Sequence, residues 1–228
     1  MMRRFNIFQT SHSALRSLLL DTSLQIQFTD FSCAQQVQGT FDQVMELVLA
    51  CQRQAEEECR YIVPAILVFN KEVNAGFASV EEGFRSPAMR LLRRMDLFEK
   101  EAGSRRAIRF APGLLMNGFR RFAEYVIAGM QAQEDQLNPL LWAYYSDDAL
   151  RRLQLQVEGR QTMSEWLSSS EWMMKDMSDE EIAKWLLSVR GTLPVPVYEL
   201  LVERISAKIP LLRWSNVQNG LQNKLMVA

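Results

Sequence analysis

Residues that could hold a cation or a buried charge recur at four-residue spacing inside otherwise apolar stripes of this sequence. Side chains at positions i and i+4 project from one face of a helix, so each such pair would reach the protein interior together. A buried carboxylate in turn needs a metal ion, a cation or hydrogen-bond donors. The pattern predicts one cluster on the axis of a helical protein. Its members are His12, Gln54 with Glu58, Glu81 with Arg85, and Gly129 with Gln133.

Glu58 is the carboxylate at the centre of this prediction. It is the last of three consecutive glutamates, and only this one continues an apolar stripe with helical spacing. We therefore expect Glu58 to point inward, while Glu56, Glu57 and Arg60 face solvent. The stripe comprises Phe41, Val44, Val48, Cys51, Ala55, Glu58, Ile62 and Ala65.

Four long helices would have to position the cluster. The first is predicted to begin at Thr10 or Ser11 as its N-cap, and the second to begin after Thr40 as its cap and to reach about Phe69. The third covers about 72–100, with a kink or break at Pro87. The fourth covers about 112–138. Long helices joined by modest loops predict an up-down four-helix bundle over residues 1–145. The other inward positions are Leu15, Leu19, Thr22 and Ile26; Val73, Phe77, Ala88, Leu92 and Met95; and Leu115, Phe119, Phe122, Val126 and Leu137.

Shorter helices are predicted over residues 146–228, as an extension packed on the bundle. One begins at Ser146, and another spans about 163–174. A third begins with a capping box at Ser178 and ends at Gly191. A further helix begins at Pro194 and runs to about Lys208, and the polar tail from Ser215 is expected to fray. The five tryptophans all lie between 142 and 214, where we expect them to act mainly as packing residues.

Composition excludes several classes of function. The net charge of −1 gives no reason to expect nucleic acid as a partner, and no apolar run approaches the length that a membrane-spanning helix needs. Three widely spaced cysteines are typical of free thiols in a cytoplasmic protein. The chain has no nucleophile or substrate motif, so we expect no enzymatic activity. A homodimer is left open.

Several motifs carry a resemblance to a known family. The segment MRRFNIFQTSHSALRSLLLDT resembles a first-helix motif HxxLRxLL, with His12, Leu15 and Arg16 in place. QRQAEEECRYIVPAI resembles HxxxE followed by an apolar turn and a proline, and MQAQEDQLNPLLWAYYSDDAL resembles HMxxEExxxNPxLW. WMMKDMSDEEIAKWLLSVRGTLPVPVYELL resembles C-terminal helices that some members carry. These motifs are those of the hemerythrin-like (HHE cation-binding) helical bundles, and the resemblance covers about 3–214.

The resemblance implies a site for two metal ions, typically iron, bridged by carboxylates and otherwise held mostly by histidines. It places His12 at a ligand histidine and Glu58 at a ligand glutamate. The other ligand positions are altered, and the single histidine of the chain excludes a histidine-rich di-iron site. At those positions Gln54 replaces a histidine, Gly129 and Gln133 replace a histidine and a glutamate, and Glu81 and Arg85 stand in place of two histidines.

Two hypotheses explain the remaining polar residues. In the first, no metal is bound and Arg85 is the positive centre that bonds Glu58 and Glu81, so Arg85→Ala would destabilise the fold by about 3 kcal/mol or more. The chain would then be a non-catalytic binding or regulatory protein, with His12 a neutral core residue. In the second, His12, Glu58 and Glu81 hold iron or another divalent cation, and the protein takes part in iron, oxygen or nitric-oxide responses.

Gly129 raises a separate question, since a histidine there is replaced by no side chain at all. Either the vacated space admits water or a small ligand, or neighbours such as Phe122 and Met130 fill it.

Overall fold

Every element of the described chain is helical, in agreement with the predicted all-α class. The computed structural model describes residues 4–70, 74–101, 105–158 and 162–225; within the helices, the side chains of 74–84, 105–109, 111, 158 and 223–225 are outside the description. The elements are α1 (Gln9–Phe28), α2 (Ala34–Glu57), a π-helical turn (Glu58–Ile62), α3 (Val63–Leu67), α4 (Asn74–Lys100), α5 (Arg105–Tyr144), α6 (Asp147–Glu158), α7 (Met163–Asp176), α8 (Asp179–Arg190), α9 (Val195–Lys208) and α10 (Leu211–Leu225).

The chain forms two compact units. The first comprises residues 1–9 and 18–160, and the second comprises residues 10–17 and 161–228. Helix α6, which the sequence analysis assigned to the C-terminal region, therefore belongs to the first unit. No helix within the described ranges is long and apolar enough to cross a membrane.

Helix α2 begins earlier than predicted. Thr40 is not its N-cap, because the helix starts at Ala34 and Thr40 lies within it, 1% exposed. Its hydroxyl bonds the Gln36 carbonyl oxygen at 3.0 Å and the hydroxyl of Thr29, the residue that follows α1, at 2.6 Å. A threonine hydroxyl that bonds back to position i−4 is compatible with a helix interior, so residue type alone misplaced the helix start.

Helix α1 also differs from the prediction at its start. It begins at Gln9 rather than after Thr10 or Ser11, and its N-cap position, Phe8, makes no side-chain cap bond. Instead, the Asn6 side-chain oxygen accepts a hydrogen bond from the Phe8 backbone N–H at 2.9 Å. The predicted inward stripe is nevertheless confirmed, since all its members are buried: His12, Leu15, Leu19, Thr22 and Ile26.

A π-helical turn joins α2 to α3 and explains how the helix passes Pro64. Proline lacks an N–H, and its ring would clash with the carbonyl four residues earlier in an α-helix. In this turn the Val63 N–H bonds the Glu58 carbonyl, five residues back, so the turn is wider and the helix continues to Leu67. The wider turn also moves the buried face: Ile62 and Ile66 are 4% and 3% exposed, whereas the predicted Ala65 is only half-buried.

Helix α5 extends beyond its predicted ends and contains two prolines, Pro112 and Pro139. Near the second proline, Leu137 and Leu141 are each 1% exposed and pack with Ile62 and Ile66. Burying side chains of this size contributes about 1.5–3 kcal/mol each, which offsets the roughly 3 kcal/mol cost of a proline within a helix. Burial thus carries the helix past the residue that was predicted to end it.

Contacts define the directions of the long helices in the first unit. Thr29 and Thr40 meet where α1 turns into α2, Phe41 lies edge-on to Phe98 of α4 at 5.7 Å, and α4 packs along α5. At the opposite end the Tyr145 hydroxyl, just after α5, donates to the Ala65 carbonyl at 3.1 Å. Hence α2 and α5 run in the same direction, with α4 opposed to both.

The second unit is built on an apolar core to which α7, α8, α9 and α10 all contribute, together with Ala14. Trp166, Trp172, Trp185 and Trp214 pack against this core, and Trp142 packs in the first unit, so their interpretation as packing residues is confirmed. The predicted fraying from Ser215 is wrong, because α10 extends to Leu225. Its spacing of Trp214, Val217 and Leu221 is the signal that could have revealed the helix.

Arg213 of α10 links the end of α7 to the start of α8. Its guanidinium donates to the Met177 carbonyl, to the Lys175 carbonyl at 3.4 Å and to the Asp179 carboxylate at 2.8 Å. Asp179 also accepts a hydrogen bond from the Asn216 side chain at 3.0 Å. The bonds from Asn216 and from Arg213 lower the pKa of Asp179 below 3.8.

This carboxylate predicts an acid-dependent part of the second unit's stability. A lowered pKa in the folded state means that the contribution is present above the unfolded value of 3.8 and is lost as the pH falls through the folded value. We expect Asp179→Asn to be less stable than the wild type at pH 6, with the difference shrinking below about pH 3.5. Urea unfolding followed by tryptophan fluorescence between pH 6 and 2.5 measures this, and a difference independent of pH would contradict it.

Candidate functional site

The Glu58 carboxylate is bound on both sides by glutamine amides. The Gln54 side-chain Nε2 donates to Glu58 Oε1 at 2.7 Å, from one turn earlier on the same helix. The Gln133 Nε2 of α5 donates to the other oxygen, Oε2. Glu58 is 5% exposed and Gln133 8% exposed, so both groups are buried. The structure therefore brings together three of the predicted site residues, and it confirms that Glu58 points inward.

Two features of the chain place Glu58 opposite α5. The stripe on α2 buries Val44, Val48 and Cys51 in succession, and Glu58 extends it as the first residue of the π-helical turn. On α5, Gln133 lies between the buried Met130 and Leu137. The amide of Gln133 thus reaches the carboxylate from a second buried stripe, so the contact ties α2 to α5.

The Cys51 thiol lies within electrostatic range of this carboxylate. Burial, and secondarily the negative charge of Glu58, raise the pKa of Cys51 to about 12. The thiol therefore stays protonated at neutral pH and does not offer the thiolate that a nucleophile would need. Cys51 was predicted only as a member of the apolar stripe, not as a neighbour of the site. Its spacing of seven residues, two helical turns before Glu58, is the signal that could have placed it there.

Gly129 lies on α5, one turn before Gln133. A Cβ atom built at this position meets no heavy atom within 4 Å among the described residues. Phe122 and Met130 are both buried, and Phe122 does not approach a Cβ placed at Gly129 within 4 Å. Whether Met130, the next residue in the chain, fills the space stays a prediction. Gly129 itself is half-buried rather than buried.

Arg85 is not the buried cation that the sequence predicted. It is exposed, and the buried stripe of α4 runs through Ala88, Leu91 and Met95. Steps of three or four residues before Ala88 reach position 85 or 84. Periodicity alone therefore could not decide which of the two faces inward. Exposure also avoids the large desolvation cost of a buried guanidinium. The side chain of Glu81 lies outside the description.

His12 is fully buried and lies in the segment 10–17, which groups with the second unit. Its participation in the Glu58 cluster stays a prediction. Within the described chain, no group of three histidine, cysteine, aspartate or glutamate side chains is arranged to hold a metal ion. Because the Glu81 side chain is not included in that statement, the set His12, Glu58 and Glu81 is untested.

Comparisons with protein-family models, curated proteins and solved structures found no match for this chain. The resemblance to hemerythrin-like bundles therefore remains a prediction based on sequence motifs. What the structure adds is the local chemistry at one of the motif positions, a buried carboxylate with two amide donors.

The contact between Gln133 and Glu58 predicts a measurable coupling. Gln133→Leu should lower the free energy of unfolding by about 2 kcal/mol, because a buried carboxylate oxygen loses its donor. In a Glu58→Leu background the same change should cost less than half as much, since no carboxylate remains to be satisfied. Denaturant unfolding of the wild type, both single variants and the double variant gives the coupling energy.

Gln131→Leu is the matched control, because Gln131 is exposed on the same helix and undergoes the same chemical change. Its effect should stay within about 0.5 kcal/mol. Equal costs for Gln133→Leu in both backgrounds would show that the contact carries no coupling.

The exposure of Arg85 reverses the expected effect of its removal. We expect Arg85→Ala to change the free energy of unfolding by less than about 1 kcal/mol, as for other exposed charges. A loss near 3 kcal/mol in the same denaturant assay would restore the hypothesis of a buried positive centre.

Proposed function

We propose that this chain is a hemerythrin-like up-down four-helix bundle whose di-iron site has become a hydrogen-bonded carboxylate centre. Its role would be non-catalytic, in binding or regulation. The observation that carries the proposal is the pair of amide donors on Glu58, from Gln54 and Gln133. These are two positions at which the resemblance implies metal ligands.

The donor set does not fit a di-iron centre. Each carboxylate oxygen of Glu58 accepts a hydrogen bond from an amide N–H, the side of the amide that carries positive charge and cannot ligate a metal. A cation at the same oxygens would compete with these donors. The two amides therefore supply what a buried carboxylate requires without a metal ion.

Burial, and secondarily the charge of Glu58, raise the pKa of Cys51 to about 12, so this thiol is protonated at neutral pH and is not an activated nucleophile. The free thiols of Cys33, Cys51 and Cys59 support the proposal of a cytoplasmic location.

Metal content tests the proposal. We expect the purified protein to contain no stoichiometric iron, manganese or zinc by elemental analysis, because the donors on Glu58 exclude a cation. Addition of iron(II) followed by air should produce no near-ultraviolet band of an oxo-bridged di-iron centre. Stoichiometric metal in the wild type would contradict the proposal and support the alternative role in iron, oxygen or nitric-oxide responses.

A variant that restores the motif residues serves as the control. It combines Gln54→His, Gly129→His and Gln133→Glu; a Cβ atom added at Gly129 meets no heavy atom within 4 Å among the described residues outside its chain neighbours. We expect this variant to take up more iron than the wild type under identical loading, provided that circular dichroism shows the same helical content. Equal uptake by both proteins would mean that these positions do not determine metal binding.

A further inference from the structure

Four arginines lie along the surface where α4 packs on α5. Arg90, Arg93 and Arg94 follow one another at helical spacing on α4, and Arg121 lies on α5. Leu97 of α4 and Leu114 of α5 adjoin them. We call this strip the arginine seam, defined by these six residues.

One contact fixes the alignment of the two helices. The Arg94 guanidinium donates to the Leu114 backbone carbonyl, and its side chain crosses α5 directly over Gly118. A Cβ atom at Gly118 would lie 2.8 Å from Arg94 Cδ, so the absence of a side chain at this position lets the arginine side chain pass over α5. Because α4 and α5 are antiparallel, this contact places Arg90 opposite Arg121 and Leu97 opposite Leu114.

The positive charges of the seam are not neutralised within the described chain. Arg90 donates to the Ser86 carbonyl at 3.2 Å and to the Ser86 hydroxyl at 2.7 Å, and Arg94 donates to a backbone carbonyl. None of the four arginines forms an ion pair with a carboxylate of the described residues. Like charges three or four residues apart on a helix destabilise it. An anionic partner would relieve this repulsion.

The apolar end of the seam is equally exposed. Leu97 and Leu114 are each 57% exposed, and Phe110, one turn before Leu114, is 56% exposed. The four arginines, which have no carboxylate partner in the described chain, therefore lie beside three exposed apolar side chains on the same surface. A ligand complementary to this surface has carboxylates at one end and apolar side chains at the other.

Acidic residues border the seam and limit the shape of its ligand. Asp96 and Glu101 are exposed on α4 and just after it, and Glu124 is exposed on α5. Asp96 pairs with Lys100 at 2.7 Å and Glu124 lies 3.9 Å from Arg120, so these two carboxylates are largely neutralised. The charge of Glu101 would still repel a broad anionic surface such as a lipid headgroup layer, but not a narrow ligand that passes beside it. The net charge of −1 likewise disfavours nucleic acid. The ligand expected from these constraints is a single peptide segment.

We propose that the arginine seam is a docking surface for an acidic amphipathic segment of a partner protein. Carboxylates of the segment bind Arg90, Arg93 and Arg121, and apolar side chains about two helical turns further along cover Leu97 and Leu114. Arginine and carboxylate form bidentate, charge-assisted hydrogen bonds, which fix the orientation of the segment. The interface is independent of the Glu58 centre, so either proposal can fail without the other.

A fluorescent synthetic peptide tests the docking surface. The probe is an amphipathic helix about 18 residues long, with glutamates on one face of its first half and leucine and phenylalanine on the same face of its second half. We expect saturable binding to the full-length protein in fluorescence anisotropy, weakening as salt is raised. A peptide of the same composition in scrambled order should bind at least about tenfold more weakly, because charge and apolar groups no longer match the seam.

Two variants locate the binding. Arg93→Ala with Arg121→Ala removes two charges of the seam, and Leu97→Ser with Leu114→Ser removes its apolar end. Each should weaken peptide binding about tenfold or more. Controls with the same chemistry elsewhere are Arg152→Ala with Arg190→Ala, and Leu155→Ser, all at exposed positions outside the seam. These controls should leave the affinity unchanged.

The outcomes separate the proposal from its competitors. Equal binding by the seam and control variants, or no binding by the wild type, overturns it. Binding of phosphatidylserine vesicles or of a single-stranded oligonucleotide, lost in the arginine variant while the peptide fails to bind, also overturns it in favour of a lipid or nucleic-acid surface. If sedimentation shows a wild-type dimer that the seam variants abolish, the occupant is a second copy of this chain and the partner segment proposed here is wrong.

Discussion

The hydrogen bonds to the Glu58 carboxylate are the constraint on which the interior of the first unit depends. A carboxylate that is 5% exposed forfeits its hydration, and amides from α2 and α5 replace it. Both of these donors are neutral amides. The result is a polar contact that specifies how two long helices face each other, where apolar packing alone would tolerate other registers.

Under the proposed function, the same contact is what remains of a metal site whose ligands have been replaced. If the resemblance to hemerythrin-like bundles holds, histidine and glutamate ligands at these positions gave way to glutamines, whose amides point their N–H groups at the remaining carboxylate. Gly129 is the other half of that change, because it carries no side chain where the resemblance implies an imidazole. A buried acid that keeps its donors need not be deleted when its metal is lost.

Sequence periodicity predicted the inward stripes of α1 and α2 and the burial of Glu58, because apolar burial on one helix face dominates both sequence pattern and fold. It failed where a local choice depended on neighbours. Arg85 and Phe84 were both compatible with the α4 stripe, and only the three-dimensional packing exposes Arg85. Thr40 has the residue type of a cap but bonds within its own helix, and no sequence pattern reveals that the Gln133 amide points at Glu58 rather than away from it.

The π-helical turn at Glu58–Ile62 changes which positions of the following helix face inward. Before the turn, the buried face passes through Val44, Val48 and Cys51; from Glu58 onward it passes through Ile62 and Ile66 in steps of four. The extra residue of the wider turn rotates the following residues around the helix axis, which shifts the buried face. A one-residue deletion between Cys59 and Tyr61 would therefore not merely shorten the helix. It would return Pro64 to a clash with the preceding turn and rotate everything downstream relative to Glu58.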